Sequence, residues 1–96
     1  MGKPEKFLKK WRENKPKEVR FQEVKTVLDA YFPNMWEQKS GSHIVVRHEA
    51  LIGIPPFGLK GEFTVAKKGG QHVKGFYLKS ILKAIEIIEE KRMFEP

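Results

Sequence analysis

Five aliphatic residues late in the chain, Leu78, Ile81, Leu82, Ile85 and Ile88, recur at steps of three and four. That spacing lays them along one side of a helix and predicts one over residues 76–91. A one-sided helix is stable only against a surface that buries its stripe, so the rest of the chain must build that surface. With 96 residues, 40% of them hydrophobic, the chain suits one domain around one modest core. A second stripe, Phe21, Val24, Val27, Leu28 and Tyr31, predicts a helix over 21–31. Pro33-Asn34 ends it.

Between the two helices the pattern changes from period 3.6 to period 2. Residues 35–39 read as a first strand, and Ser40-Gly41-Ser42 as a turn. Residues 43–48 follow as a second strand, with His43, Val45 and Arg47 on one face and Ile44, Val46 and His48 on the other. Three β-branched residues in succession suggest shielding on both faces for part of its length. The stretch 49–61 contains Leu51, Ile52, Ile54, Pro55-Pro56 and Phe57, and is too proline-rich for a central strand. Such an apolar loop packs on its own domain or offers a surface to a partner. Residues 62–66 form the third expected strand, followed by the basic turn Lys67-Lys68-Gly69-Gly70.

Ahead of all this, Pro4 suits the first turn of a short helix reaching Asn14, with Phe7, Leu8 and Trp11 on one side. Lys15-Pro16 breaks it, since the residue before proline avoids helical geometry. Two readings stand: a nucleic-acid-binding arm, or a lid that packs Trp11 on the core. The expected architecture is α+β. A three-stranded antiparallel sheet carries helices 21–31 and 76–91 on one face. A basic helical extension, residues 1–16, precedes a domain of residues 17–96.

Charge narrows the partners. The formal net charge is +7, and residues 1–20 hold eight Lys or Arg against three Glu. That balance favours a polyanion, most often nucleic acid. No cysteine is present, which excludes disulfides and thiolate zinc sites. No apolar run has membrane-spanning length and no signal-peptide core is visible, so a soluble, cytoplasmic protein is expected.

Among motifs with chemistry, phosphate-binding P-loops, dinucleotide fingerprints and the serine-hydrolase elbow are missing. His43, His48 and His72 lack the spacing of a zinc-binding pair, so no metal and no cofactor are expected. What remains is histidine plus lysines. His43 opens a strand right after a small-residue turn, and a histidine so held can move protons near neutral pH. RNA brings its own nucleophile, the 2′-hydroxyl. Cleavage then needs a proton-transfer group and cations for the phosphate, roles open to His43 and to Lys39, Lys67, Lys68 and Lys74. For any single lysine the plainer alternative is a solvated surface cation.

Three segments of this chain together resemble the HicA toxins of bacterial and archaeal toxin–antitoxin pairs. Lys39-Ser40-Gly41-Ser42-His43 is similar to the family's lysine, glycine, serine, histidine turn, with Ser40 as an extra residue. Phe63-Thr64-Val65-Ala66-Lys67-Lys68-Gly69-Gly70 resembles its third strand and double-glycine turn. Lys74-Gly75-Phe76-Tyr77-Leu78-Lys79-Ser80-Ile81-Leu82 resembles the start of its last helix. The likeness runs from Phe21 to Ile88, and order and spacing agree throughout. It implies a double-stranded-RNA-binding-like fold and a metal-independent mRNA endonuclease, with His43 at the catalytic position. It also implies inhibition by a HicB-type antitoxin that covers the active site. Many members carry a second histidine where this chain has Ile44, and a histidine before the double glycine where it has Lys68.

Ser42, Lys39, Lys67, Lys68, Lys74, Lys79 and Lys83 are the expected RNA-binding residues. Lys67, Lys68, Lys74, Lys79 and Lys83 are expected to form one basic patch, because a glycine turn running into a helix start gathers amides and lysines. Two further readings use the same fold: a non-catalytic RNA- or DNA-binding module, and an interaction domain that docks an acidic antitoxin.

Overall fold

A computed structural model describes residues 3–69 and 71–94, so Gly70 of the double-glycine turn lies outside the described residues. The chain runs α1 (Lys3–Asn14), β1 (Glu18–Arg20), α2 (Phe21–Tyr31), β2 (Trp36–Ser40), β3 (His43–Arg47), a 3-10 turn (Glu49–Leu51), β4 (Glu62–Lys68), β5 (His72–Lys74) and α3 (Gly75–Phe94). The strands form one antiparallel sheet in the order β1-β5-β4-β3-β2.

The sheet has five strands, not the three expected. The two additions, β1 and β5, are three residues each, and they pair as Glu18 with Lys74, Val19 with Val73 and Arg20 with His72. In each, a single valine is buried between two exposed charged or polar residues. One apolar residue is too little periodicity to announce a strand. Their existence depends on the β4–β5 turn bringing distant backbone into register, as when Phe21 N–H donates to the Gln71 carbonyl at 2.7 Å.

One face of the sheet is buried. Val19, Val73, Val65, Phe63, Ile44 and Val46 lie on it and join the helix stripes in one hydrophobic core. From α2 come Val24, Val27 and Leu28, and from α3 come Leu78, Ile81, Ala84, Ile85 and Ile88. Helices α2 and α3 therefore contribute to the core on the same side, and the opposite face is left open. The α2 stripe ends as expected: Asn34 takes a left-handed φ of 61°, and the buried Phe32 returns its N–H to Leu28.

Of the two readings of α1, packing is what the structure contains. Trp11 is 1% exposed and Leu8 is buried beside it, both within the same core. Burying two such side chains contributes roughly 1.5–3 kcal/mol each, enough to hold a three-turn helix against the domain. Lys15 closes α1 with a positive φ, and its N–H reaches back to the Trp11 carbonyl.

The loop after β3 packs mostly inward. Leu51 and Phe57 are buried, while Ile52 and Leu59 stand in solvent. Gly61 takes a left-handed φ, and a Cβ there would lie 2.7 Å from the His48 carbonyl oxygen. No helix among the described residues is long and apolar enough to cross a membrane.

Candidate nucleic-acid interface

Strand alternation decides which side chains reach the open face. On β3 the burial runs exposed, buried, intermediate, buried, exposed from His43 to Arg47. His43, Val45 and Arg47 therefore share one face, as the alternation predicts; the structure turns that face outward and Ile44 and Val46 to the core, so the strand is shielded on one side only. His43 stands at the first position of β3, directly opposite Ala66 of β4. Its ring Nδ1 lies 3.5 Å from the Ser42 hydroxyl, at the outer limit of a hydrogen bond.

Lys68 is two residues beyond Ala66, on the same face, so it is the diagonal neighbour of His43. Such neighbours have Cα atoms about 7–8 Å apart, within reach of a lysine side chain. Lys68 pairs with His72 on β5, and His72 pairs with Arg20 on β1. Arg20, His72 and Lys68 thus form a row across three strands, all exposed. Lys74 shares the face of His72 on the same strand. His72 and Arg20 were absent from the expected site, because only the pairing of β1 with β5 lines them up with Lys68.

The other end of this face is electrically closed. Arg47 donates to Glu62 at 2.7 Å across the β3–β4 pair. That hydrogen bond and charge hold the guanidinium above its ordinary pKa. Lys39 sits 2.8 Å from Glu37 in an exposed pair. The lysine's hydrogen bond and charge hold the Glu37 carboxyl below its ordinary value. Lys39 is therefore engaged locally, whereas the Arg20–His72–Lys68 row contains no acidic residue.

The expected lysine patch is divided. Lys67 lies on the buried side of β4, half-buried, with its ammonium 4.6 Å from the centre of the Phe21 ring. Lys68 and Lys74 belong to the open face. Lys79 lines a groove of about 690 Å³ between the end of α1 and the start of α3, with Arg12, Lys15, Lys17 and Lys74. Lys83 is exposed further along α3. Adjacent lysines on a strand point to opposite faces, which is why Lys67 and Lys68 part company.

His48 has a structural task. It is half-buried, its Nδ1 accepts the Ala50 N–H at 2.9 Å, and its ring meets Phe32 edge-on. It thereby caps the 3-10 turn that follows β3. Among the described residues no three His, Asp or Glu side chains gather in a way that could hold a metal ion. Comparison of the chain with family models, with curated proteins and with solved structures finds no match in any of the three.

Proposed function

We propose that this chain is an RNA-cleaving domain that works on the open face of its sheet, with His43 as the proton-transfer group. The observation that carries the reading is the register: an exposed histidine at a strand start lies diagonal to Lys68, which stands in a row with His72 and Arg20. A rigid strand fixes the histidine, and a cationic row beside it suits a backbone phosphate. The likeness to HicA toxins points to the same residue and to the same class of reaction.

The chemistry needs few parts. His43 removes the proton from a ribose 2′-hydroxyl, and the 2′-oxygen attacks the adjacent phosphorus. The bond from phosphorus to the 5′-oxygen breaks, and that oxygen leaves with a proton from solvent. The products are a 2′,3′-cyclic phosphate and a free 5′-hydroxyl. Lys68 balances the charge gathering on the phosphate, and Arg20 adds a second cation along the same row. Because the nucleophile belongs to RNA and the cations to the protein, the reaction runs without a metal ion.

The substrate in this reading is mRNA, the compartment the cytoplasm and the regulating partner a HicB-type antitoxin. Exposed Ile52 and Leu59, 53% and 89% accessible, give a protein partner apolar purchase on the loop after β3. The decisive experiment is cleavage of single-stranded RNA in excess EDTA by wild type and His43→Ala. A positioned general base is worth roughly 10²–10⁴-fold, so the variant loses activity on that scale while its melting temperature is unchanged. Equal cleavage by both proteins refutes the assignment of His43. Binding without cleavage by either replaces it with the non-catalytic module.

A further inference from the structure

The groove between the N-terminal extension and α3 has no part in the chemistry at His43. Its composition is that of a binding site. Cations project around it from four separate segments: Arg12 from α1, Lys15 and Lys17 from the linker, Lys74 from β5 and Lys79 from α3, against Glu86 as the acidic lining residue. Phe76, at the start of α3, lines the same groove and is 58% exposed, so the face of its ring is open to a ligand there. The ring is backed by Tyr77, with centroids 4.2 Å apart.

A second and independent feature lies in the wall. Trp11 also lines the groove, is 1% exposed, and has a buried indole N–H with no hydrogen-bond partner among the described residues. Buried donors are rarely left so, and an unmade hydrogen bond of this kind costs free energy comparable to the desolvation of the group. Cations and an open aromatic ring together describe the recognition of a nucleotide: phosphate and base face.

We propose that this groove takes a nucleotide of single-stranded RNA, with the base against Phe76 and the backbone phosphates against Lys74, Lys79 and Lys15. The inference rests on the RNA reading above and extends it. Lys74 is the link, since it belongs both to the open face beside His72 and to the groove wall. A strand crossing the His43 face therefore meets Lys74 as it enters the groove, with Glu18 opposite that lysine as the acidic residue at the crossing. Continuity with that face favours RNA over an acidic protein as the occupant. The extension is then a clamp that lengthens the footprint, and single-stranded RNA is preferred to duplex because only an unpaired base can offer its face to Phe76.

The test is fluorescence anisotropy with a labelled single-stranded RNA of twelve nucleotides and the matched duplex, using the full chain. Phe76→Ala is expected to weaken single-strand binding by roughly 5- to 150-fold, the range for loss of one base–aromatic stack, and to leave the duplex nearly unaffected. The double variant Lys15→Glu/Lys79→Glu should weaken both and flatten the salt dependence. In ¹⁵N-labelled protein the Trp11 indole N–H resonance, assigned with Trp36→Phe, should shift on titration with the single strand. Retained single-strand binding in Phe76→Ala and the double variant, with Lys68→Glu still impaired, overturns the groove while the sheet-face reading stands. No RNA binding by wild type overturns both. Equal weakening of RNA and of inorganic polyphosphate by Phe76→Ala overturns the base subsite. A leucine-containing glutamate peptide that binds wild type and is lost in Phe76→Ala, with RNA unaffected, assigns the groove to protein and overturns the proposal.

Discussion

Gly75→Ala is a substitution whose sign separates helix propensity from tertiary packing. Gly75 is the first residue of α3, and an alanine inside a helix is ordinarily better than glycine by roughly 0.5–1 kcal/mol. The surroundings say otherwise. A Cβ built on Gly75 overlaps the Pro16 carbonyl oxygen and lies 3.2 Å from the Lys17 carbonyl oxygen. The Gly75 N–H also donates to Lys17 at 2.7 Å, so the backbone of the linker is tied at the point where the methyl would intrude. Both obstacles are main chain and cannot rotate aside. Forcing one extra methyl into such a contact costs roughly 1–3 kcal/mol. Loss of the hydrogen bond adds about 1 kcal/mol. Setting the helix gain against these leaves a net destabilisation of about 1–3 kcal/mol. For a domain of this size each kcal/mol lowers the melting temperature by roughly 4–8 °C, so a fall of about 5–20 °C is expected. Thermal unfolding followed by far-UV circular dichroism measures it, and tryptophan emission in a Trp36→Phe background reports whether Trp11 leaves the core first. Gly41→Ala is the control, since a Cβ there meets nothing within 4 Å. A melting temperature unchanged or raised in Gly75→Ala would refute the close approach of the linker to α3.

Three other outcomes follow from the same geometry. Lys68→Ala should lower RNA affinity and reduce the salt slope by about 1, whereas Lys67→Ala should leave that slope alone and cost about 0.5–1 kcal/mol in urea denaturation through its contact with Phe21. Ile44→His, which supplies the second histidine found in many HicA members, places an imidazole at a position 0% exposed. It should destabilise by roughly 2–5 kcal/mol in the same assay, and a neutral result would mean that β3 is turned over. Lys39 depresses the Glu37 carboxyl, so the pair's stabilisation is present above the ordinary value of 4.5 and is lost as pH falls through the lower folded value. NMR titration of the Glu37 carboxyl should give a midpoint below 4.5 that rises in Lys39→Ala; an unchanged midpoint would remove Lys39 as the cause.

Local pattern was sufficient wherever the side chains of one element carried the message. The α2 stripe and its stop at Pro33-Asn34 predict the helix that forms, and alternation along 43–48 puts His43 and Ile44 on opposite faces, because each depends on a period and not on a neighbour. The same holds for the packing of both stripes into one core, which one-sided helices require. Pairing between distant segments was illegible. Strands β1 and β5 have one buried valine apiece and exist because the sheet edge at β4 offers them backbone partners. With them come the Arg20–His72–Lys68 row and the separation of Lys67 from Lys68. The fate of Trp11 was likewise open, since an apolar side of a short helix reads alike on an arm and on a lid. Sequence alone therefore determined the helices, the three longer strands, the separation of His43 from Ile44 onto opposite faces and the excess of positive charge, all of which are properties of short stretches of chain. Tertiary structure alone decided which cations share a face with His43 and that α1 and α3 enclose a groove, because both are set by long-range register and packing, in which residues far apart in the chain become neighbours.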